Sequence, residues 1–210
     1  MDYLPFHIAN AIVVWDVETT ELIDKRRVPI EHMEISVACA MIFDASDVKL
    51  ENVQKRTFWH ASVLSSFKMD DLCKLLSSCR AHVAFNGRRF DMVVMKKHFE
   101  SQREEELAFE RLHDPLQDIS VISYYSLNDL LAENQLGRKT ASGKDAPVMW
   151  KAGRYEDLAK YCMSDVELLA HLITKASSVA LPMLCARVPL SISRILFPDE
   201  FTKVSFTQSL

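Results

Sequence analysis

An uninterrupted apolar run at residues 11–15, ended by Asp16 and Glu18, constrains the fold of this chain most strongly. A run that is continuously hydrophobic, without alternation, predicts a strand that is buried on both faces and lies in the middle of a sheet. Side chains two residues apart on a strand point to the same face, so the two carboxylates should project together from the strand's end. The strand is therefore expected to bring two negative charges to the edge of the core.

Two further acids occur where an acid is unfavourable. Asp91 follows an apolar strand predicted at residues 82–86, and Asp165 interrupts a helical apolar stripe. The other members of that stripe, at steps of three and four, are Leu158, Tyr161, Leu168 and Leu172. Like charges gathered out of bulk water repel one another, and bound divalent cations are the simplest means of neutralising them. The four acids therefore predict a metal site.

Three motifs carry these acids in order: VWDVETT at 14–20, FNGRRFD at 85–91 and YCMSD at 161–165. Together they resemble the three exonuclease motifs of the DEDD superfamily of 3'-5' exonucleases. The histidine branch of that superfamily carries His five residues before the last Asp, where this chain has Lys160. The tyrosine branch carries Tyr four residues before it, which matches Tyr161 and Asp165. The chain thus resembles the tyrosine (DEDDy) branch over about residues 10 to 175.

The resemblance implies a site as well as a fold. The residues implied for catalysis combine the acids with one tyrosine: Asp16, Glu18, Asp91, Tyr161 and Asp165. The four acids would hold two divalent metal ions, Mg²⁺ or Mn²⁺, while the tyrosine hydroxyl would position the attacking water. Substrate contacts are expected at a second set of residues: Val17, Thr19, Asn86, Arg88 and Arg89. Glu21 stands where many relatives carry Gly, which leaves the conformation of that loop open.

The coarse pattern of elements predicts an α/β fold, in which a mixed sheet is flanked by helices. This pattern is compatible with the ribonuclease H-like fold that the resemblance implies. Strands are expected near 11–17, 34–43, 52–59 and 82–86, and helices near 69–76, 89–100, 118–125 and 127–135. Residues 137–153 are expected to be either a mobile substrate loop or a long connection.

We expect one catalytic domain over residues 1–175 and a C-terminal extension of unknown role over 176–210. The extension could pack back on the domain, pair with a second copy or begin a further domain. The chain contains no apolar stretch of about 18 residues and no basic leader followed by an apolar segment. We therefore expect an intracellular protein, cytoplasmic or nuclear, without a membrane partner. Five cysteines without a Cys-x-x-Cys pair argue against a zinc site or a disulfide framework.

A net charge of −4 is unusual for a protein that binds a polyanion. Two bound divalent ions would offset that charge, and Arg88 and Arg89 lie inside a motif. Further phosphate contacts are expected from a basic group around the predicted loop: Arg138, Lys139, Lys144, Lys151 and Arg154.

The predicted function is 3'-5' exonucleolytic hydrolysis of single-stranded DNA or RNA by a two-metal-ion mechanism. One alternative is a catalytically weak, nuclease-like module that only binds nucleic acid, although all five expected catalytic positions are filled. Another is a proofreading subunit that acts with a separate polymerase. A polymerase, a helicase or a second copy could bind through the C-terminal extension. The choice between DNA and RNA stays open, because contacts to the 2'-hydroxyl depend on loops that the sequence does not place.

Overall fold

The computed structural model describes residues 5–22, 28–47, 49–59, 67–120, 126–139 and 143–178. Their centre is a mixed five-stranded sheet in the order β3-β2-β1-β4-β5. The strands are β1 (Ala11–Thr19), β2 (Ile35–Asp44), β3 (Gln54–Trp59), β4 (Ala81–Val83) and β5 (Leu112–His113). β1 pairs antiparallel with β2 and parallel with β4, so it is the central strand that the apolar run predicted.

Seven α-helices among the described residues flank the sheet. They are α1 (Met69–Ser78), α2 (Asp91–Met95), α3 (Gln102–Arg111), α4 (Pro115–Ser120), α5 (Leu127–Glu133), α6 (Ala146–Lys151) and α7 (Tyr155–Ser178). The mixed sheet with helices around it confirms the α/β class. Among the described residues, no helix combines the length and the apolar character that a membrane span requires. Residues 179–210, most of the expected extension, lie outside the described part of the chain.

The alternation of β1 side chains divides the core into two layers. Val13, Trp15 and Val17 are buried in the layer that contains α1. Ile12 and Val14 are buried in the other layer, against α7. Because side chains two apart share a face, the same alternation directs Asp16 and Glu18 toward α7.

Two helix predictions need correction in their boundaries. The helix expected at 89–100 is the short α2 followed by a 3-10 turn at Lys96–His98, because residues 86–90 form a turn first. The helix expected at 118–125 begins at Pro115 as α4, and residues 121–125 lie outside the described chain. Pro115 has the fixed φ that suits the first turn of a helix, and the Asp114 carboxylate accepts a hydrogen bond from the Leu116 amide at 3.1 Å.

The segment 137–153, expected to be a loop or a long connection, contains the helix α6. Pro147 lies in the first turn of this helix, and both Ala146 and Pro147 are buried. Gly153 follows its end with φ of +69°, a conformation that favours glycine. Pro and Gly therefore act here as the start and stop signals of a helix.

The turn that carries Asp91 is held by a buried carboxylate. Asp114 accepts hydrogen bonds from the backbone amides of Asn86 at 2.9 Å and Arg88 at 3.1 Å. Asn86 adopts a left-handed conformation with φ of +65°. At Gly87, an added Cβ would lie only 2.6 Å from the Cβ of Ala84 and 3.1 Å from its carbonyl oxygen. The turn thus requires a residue without a side chain at its tightest point.

We predict that Gly87→Ala destabilises the protein by about 1 to 3 kcal/mol, because the new methyl group forces the backbone of the turn to move. Urea unfolding would measure the loss. Gly143→Ala is the matched control, since no atom lies within 4 Å of a Cβ built there. Equal stability of the two variants would contradict the close packing of the turn.

Candidate active site

Three carboxylates meet where β1 and α7 pack together. Asp16, Glu18 and Asp165 each offer an oxygen, and these oxygens all lie within 4.8 Å of one another. The Cys162 thiol of α7 contacts the Asp16 carbonyl oxygen at 3.5 Å, which ties the helix to the strand beside the cluster. The packing of α7 against β1 therefore brings together the metal ligands predicted from the first and third motifs.

The fourth predicted acid, Asp91, lies next to this group but is not one of the three. Its side chain is 2% exposed, and one carboxylate oxygen accepts a hydrogen bond from the Val17 amide at 3.2 Å. That bond links the first turn of α2 to β1 between Asp16 and Glu18. Burial, followed by the charge of Asp16, raises the pKa of Asp91 well above its usual range.

Burial and mutual repulsion raise the pKa values of these acids above their usual range. Burial raises the pKa of Glu18 to about 9, with Asp16 and Asp165 adding to the shift. Burial also raises the pKa of Asp16 to about 7. A divalent cation bound in the cluster would lower the pKa values of these carboxyl groups, because it favours their ionised form.

Lys139 supplies a positive charge inside the cluster. Its ammonium nitrogen lies 2.6 Å from Asp165 Oδ2 and 5.9 Å from the centroid of the Tyr161 ring. Its backbone amide donates to the side chain of Asn128 at 2.8 Å, which fixes the segment before α6. Burial alone would lower the pKa of Lys139, but the carboxylates of Asp165 and Asp16 raise it. The lysine that the sequence offered for phosphate binding therefore reaches a predicted metal ligand.

Tyr161 lies on α7 with its hydroxyl facing the acids. The side chain is buried, and the hydroxyl has no well-aligned hydrogen-bond partner among the described residues. Burial, with the charges of Glu18 and Asp165, raises the pKa of this phenol above its ordinary value. The hydroxyl consequently stays protonated and is available as a hydrogen-bond donor.

The arginines of the second motif have different environments. Arg88 donates from its guanidinium to the Leu112 carbonyl at 2.7 Å and stacks over the Phe109 ring at 4.7 Å. Arg89 is exposed. Arg88 thus takes part in packing β5 and α3 against the turn, whereas Arg89 presents its side chain to solvent.

The remaining predicted contact residues surround the first and second motifs. Val17 is buried, and its amide is engaged with Asp91. The Thr19 hydroxyl donates to the Glu21 carbonyl at 2.7 Å, so it stabilises the turn in which Glu21 replaces the expected glycine. Asn86 is half-buried in its left-handed turn. These contacts support the turns on either side of the acids.

The residues present suit a hard divalent cation. Carboxylate oxygens are the ligands that Mg²⁺ and Mn²⁺ prefer. An ammonium group already lies beside Asp165, which shows that the cluster accommodates positive charge. The buried Tyr161 hydroxyl, which interacts with the Asp165 carboxyl, adds a polar atom beside the same acids.

A family model described as the RNase H superfamily matches residues 13–177. The matched segment extends from β1 to α7 and includes every residue of the carboxylate cluster. No curated protein matches the chain.

We predict that stability in a chelating buffer falls as pH rises from about 4 to 9, because the folded state retains protons that the unfolded state has lost. The loss due to Asp16 ends near its raised pKa of about 7, and the loss due to Glu18 continues to its raised pKa of about 9. The slope is at most about 1.4 kcal/mol per pH unit for each retained proton. Urea unfolding at several pH values would measure it.

Glu18→Gln should flatten this dependence, whereas Glu21→Gln, at an exposed position, should leave it unchanged. Saturating Mn²⁺ should abolish the loss in the unsubstituted protein, since a cation stabilises the ionised acids. A pH dependence that is the same for Glu18→Gln and the unsubstituted protein would contradict the assignment.

Proposed function

Because the chain belongs to the RNase H superfamily, we propose that it is a 3'-5' exonuclease that hydrolyses phosphodiester bonds of single-stranded DNA or RNA. Membership confirms the ribonuclease H-like fold that the three motifs implied, and it suggests a nuclease-type activity. The exonuclease proposal rests on the three carboxylates of Asp16, Glu18 and Asp165, which lie together with the Tyr161 hydroxyl buried beside them. These are four of the five residues predicted from the resemblance to the tyrosine branch, and the fifth, Asp91, lies next to Asp16.

The four acids would hold two divalent ions, Mg²⁺ or Mn²⁺. When bound, such ions acidify the attacking water and neutralise the charge that develops in the transition state. Asp16, Glu18 and Asp165 suit one ion, since their oxygens already lie within 4.8 Å of one another. Asp91, which interacts with Asp16, would suit the second ion together with Asp16.

The chain's own groups would orient the reactants. The protonated Tyr161 hydroxyl would donate a hydrogen bond to the attacking water and so fix its position, while its high pKa makes it unsuitable as a general base. The Val17 amide positions Asp91 by donating to its carboxylate. Val17, Thr19 and Asn86 are proposed to contact the terminal nucleotide, and Arg89, which is exposed, its phosphates.

Lys139 is proposed to change partner during the cycle. In the structure the ammonium group of Lys139 offsets the negative charge of Asp165. A bound metal ion would offset that charge instead. The freed ammonium group would then lie beside a site that receives a phosphodiester. A lysine is well suited to this change, because its ammonium is a compact charge on a flexible stem.

The exonuclease proposal predicts a descending ladder of products from a 5'-labelled linear strand, and none in a chelating buffer. Matched DNA and RNA strands would identify the preferred substrate. Asp165→Asn should lower turnover by about 100-fold or more, because it removes a charged ligand of the ion that would stabilise the transition state. Cleavage of a circular single strand would contradict the exonuclease assignment.

Tyr161→Phe keeps the ring and removes only the hydroxyl, so we predict a fall in kcat of about 10- to 100-fold from the misplaced water. Affinity for Mn²⁺ should stay the same, because no ligand is removed. Thr174→Val is the control, since it also deletes a buried hydroxyl from α7. That hydroxyl donates to the backbone carbonyls of Ala170 and His171. If Tyr161→Phe turns over as fast as Thr174→Val, the role of the hydroxyl is wrong.

A further inference from the structure

Three aromatic side chains form a cluster at the end of β3. The ring centroids of Trp59 and Tyr155 are 6.0 Å apart, with an angle of 77° between the planes. Those of Trp150 and Tyr155 are 5.2 Å apart, at an angle of 55°. The cluster therefore joins the end of β3, the helix α6 and the first residue of α7. We call it the aromatic cluster.

The strand register places this cluster beside the acids. Glu18 lies opposite Val37, which in turn lies opposite Trp59. Side chains of directly opposed residues in antiparallel strands project from the same face of the sheet. Trp59 is thus on the same face as Glu18 and two strand spacings away, or roughly 10 Å at about 4.8 Å each.

The cluster is accessible from solvent. Tyr155 is 37% exposed, and Val148 of the neighbouring α6 is 63% exposed. Trp59 and Trp150 are half-buried, so each packs part of its ring against the core. Lys151, whose side chain is exposed, lies in the sequence between Trp150 and Tyr155. Aromatic surface beside a lysine is suited to a ligand that has both flat apolar groups and negative charge.

We propose that Trp59, Trp150 and Tyr155 form a base-stacking subsite for nucleobases of the single strand whose 3' end lies at the carboxylates. This inference rests on the proposed function, since it places the substrate relative to the acids. The separation of roughly 10 Å corresponds to about three stacked nucleotides at roughly 3.4 Å each. Bases a few positions upstream of the scissile bond would therefore reach the rings.

The charge distribution supports this subsite. The chain has a net charge of −4, and three of the cations expected to bind phosphate are engaged within the protein. Arg88 binds a carbonyl, Lys139 binds Asp165, and Arg154 pairs with Asp157 at 2.9 Å. Stacking supplies affinity without requiring further cations, and it accepts every base because each base has a flat face. Bases that are paired in a duplex would not be free to stack in this way.

The test measures binding of a thymidine oligonucleotide in a chelating buffer, where hydrolysis is prevented. The fluorescence of Trp59 and Trp150 should be quenched as the strand binds. Trp15 is fully buried, so its fluorescence provides a constant background. An abasic oligonucleotide of the same length and charge should bind about 10-fold more weakly for each stacked base that it lacks. It should also cause little quenching.

Tyr155→Leu should weaken binding of the thymidine strand by about 10-fold and leave binding of the abasic strand the same, because only stacking is lost. Tyr155→Phe should restore most of the affinity, since it restores the ring. The dependence of affinity on salt should be the same for the unsubstituted protein and for Tyr155→Leu, because phosphate contacts are retained. Equal binding of the thymidine and abasic strands, or thymidine binding by Tyr155→Leu as tight as that by the unsubstituted protein, would overturn the subsite.

A separate measurement keeps the proposed function distinguishable from the subsite. Hydrolysis of the p-nitrophenyl ester of thymidine 5'-monophosphate, with Mn²⁺, reports the carboxylate site alone, because this substrate contains only one base. Loss of that hydrolysis in Asp165→Asn supports the nuclease proposal. If the unsubstituted protein hydrolyses neither the ester nor nucleic acid yet is quenched by the thymidine strand, the subsite stands and the exonuclease proposal fails.

Discussion

The mutual repulsion of four carboxylates around β1 is the constraint on which the rest of this structure depends. Apolar packing covers both faces of the strand, with α1 on one face and α7 on the other. This packing brings together Asp16, Glu18, Asp91 and Asp165. The packing favours the compact state, and the acids oppose it whenever they are ionised. A site of this kind can remain folded without metal only if protons or a positively charged side chain offset the repulsion. The structure has both, in the raised pKa values of the acids and in the ammonium group beside Asp165.

Lys139 lies in the carboxylate cluster and is also one of the cations that the sequence predicted to bind phosphate. An acidic protein needs positive charge near its site, and this lysine holds such a charge against Asp165. The backbone at Lys139 is fixed by the hydrogen bond that its amide donates to the Asn128 side chain. The same residue therefore offsets the charge of Asp165 inside the cluster.

The elements that the sequence predicted well are those whose signal is local. Continuous apolar residues before Asp16 identified the central strand, and the spacing of Tyr161 and Asp165 identified the inward face of α7. The helix α6 was mistaken for a loop because Pro147 and Gly153 are equally common in loops, and only the burial of Ala146 and Pro147 distinguishes the two.

Contacts between distant segments could not be predicted in the same way. Asp114 lies directly before Pro115, yet its carboxylate accepts hydrogen bonds from the amides of Asn86 and Arg88, which precede it by more than twenty residues. The buried His82 imidazole likewise accepts a hydrogen bond from the Trp15 indole at 3.0 Å. Burial lowers the pKa of His82 to about 3, so it remains neutral and can accept that bond. No local pattern contains such pairings, because each depends on how β4 and β5 align beside β1. The turn that presents Asp91 is therefore specified by tertiary contacts, and its sequence motif alone would be compatible with an ordinary strand-to-helix connection.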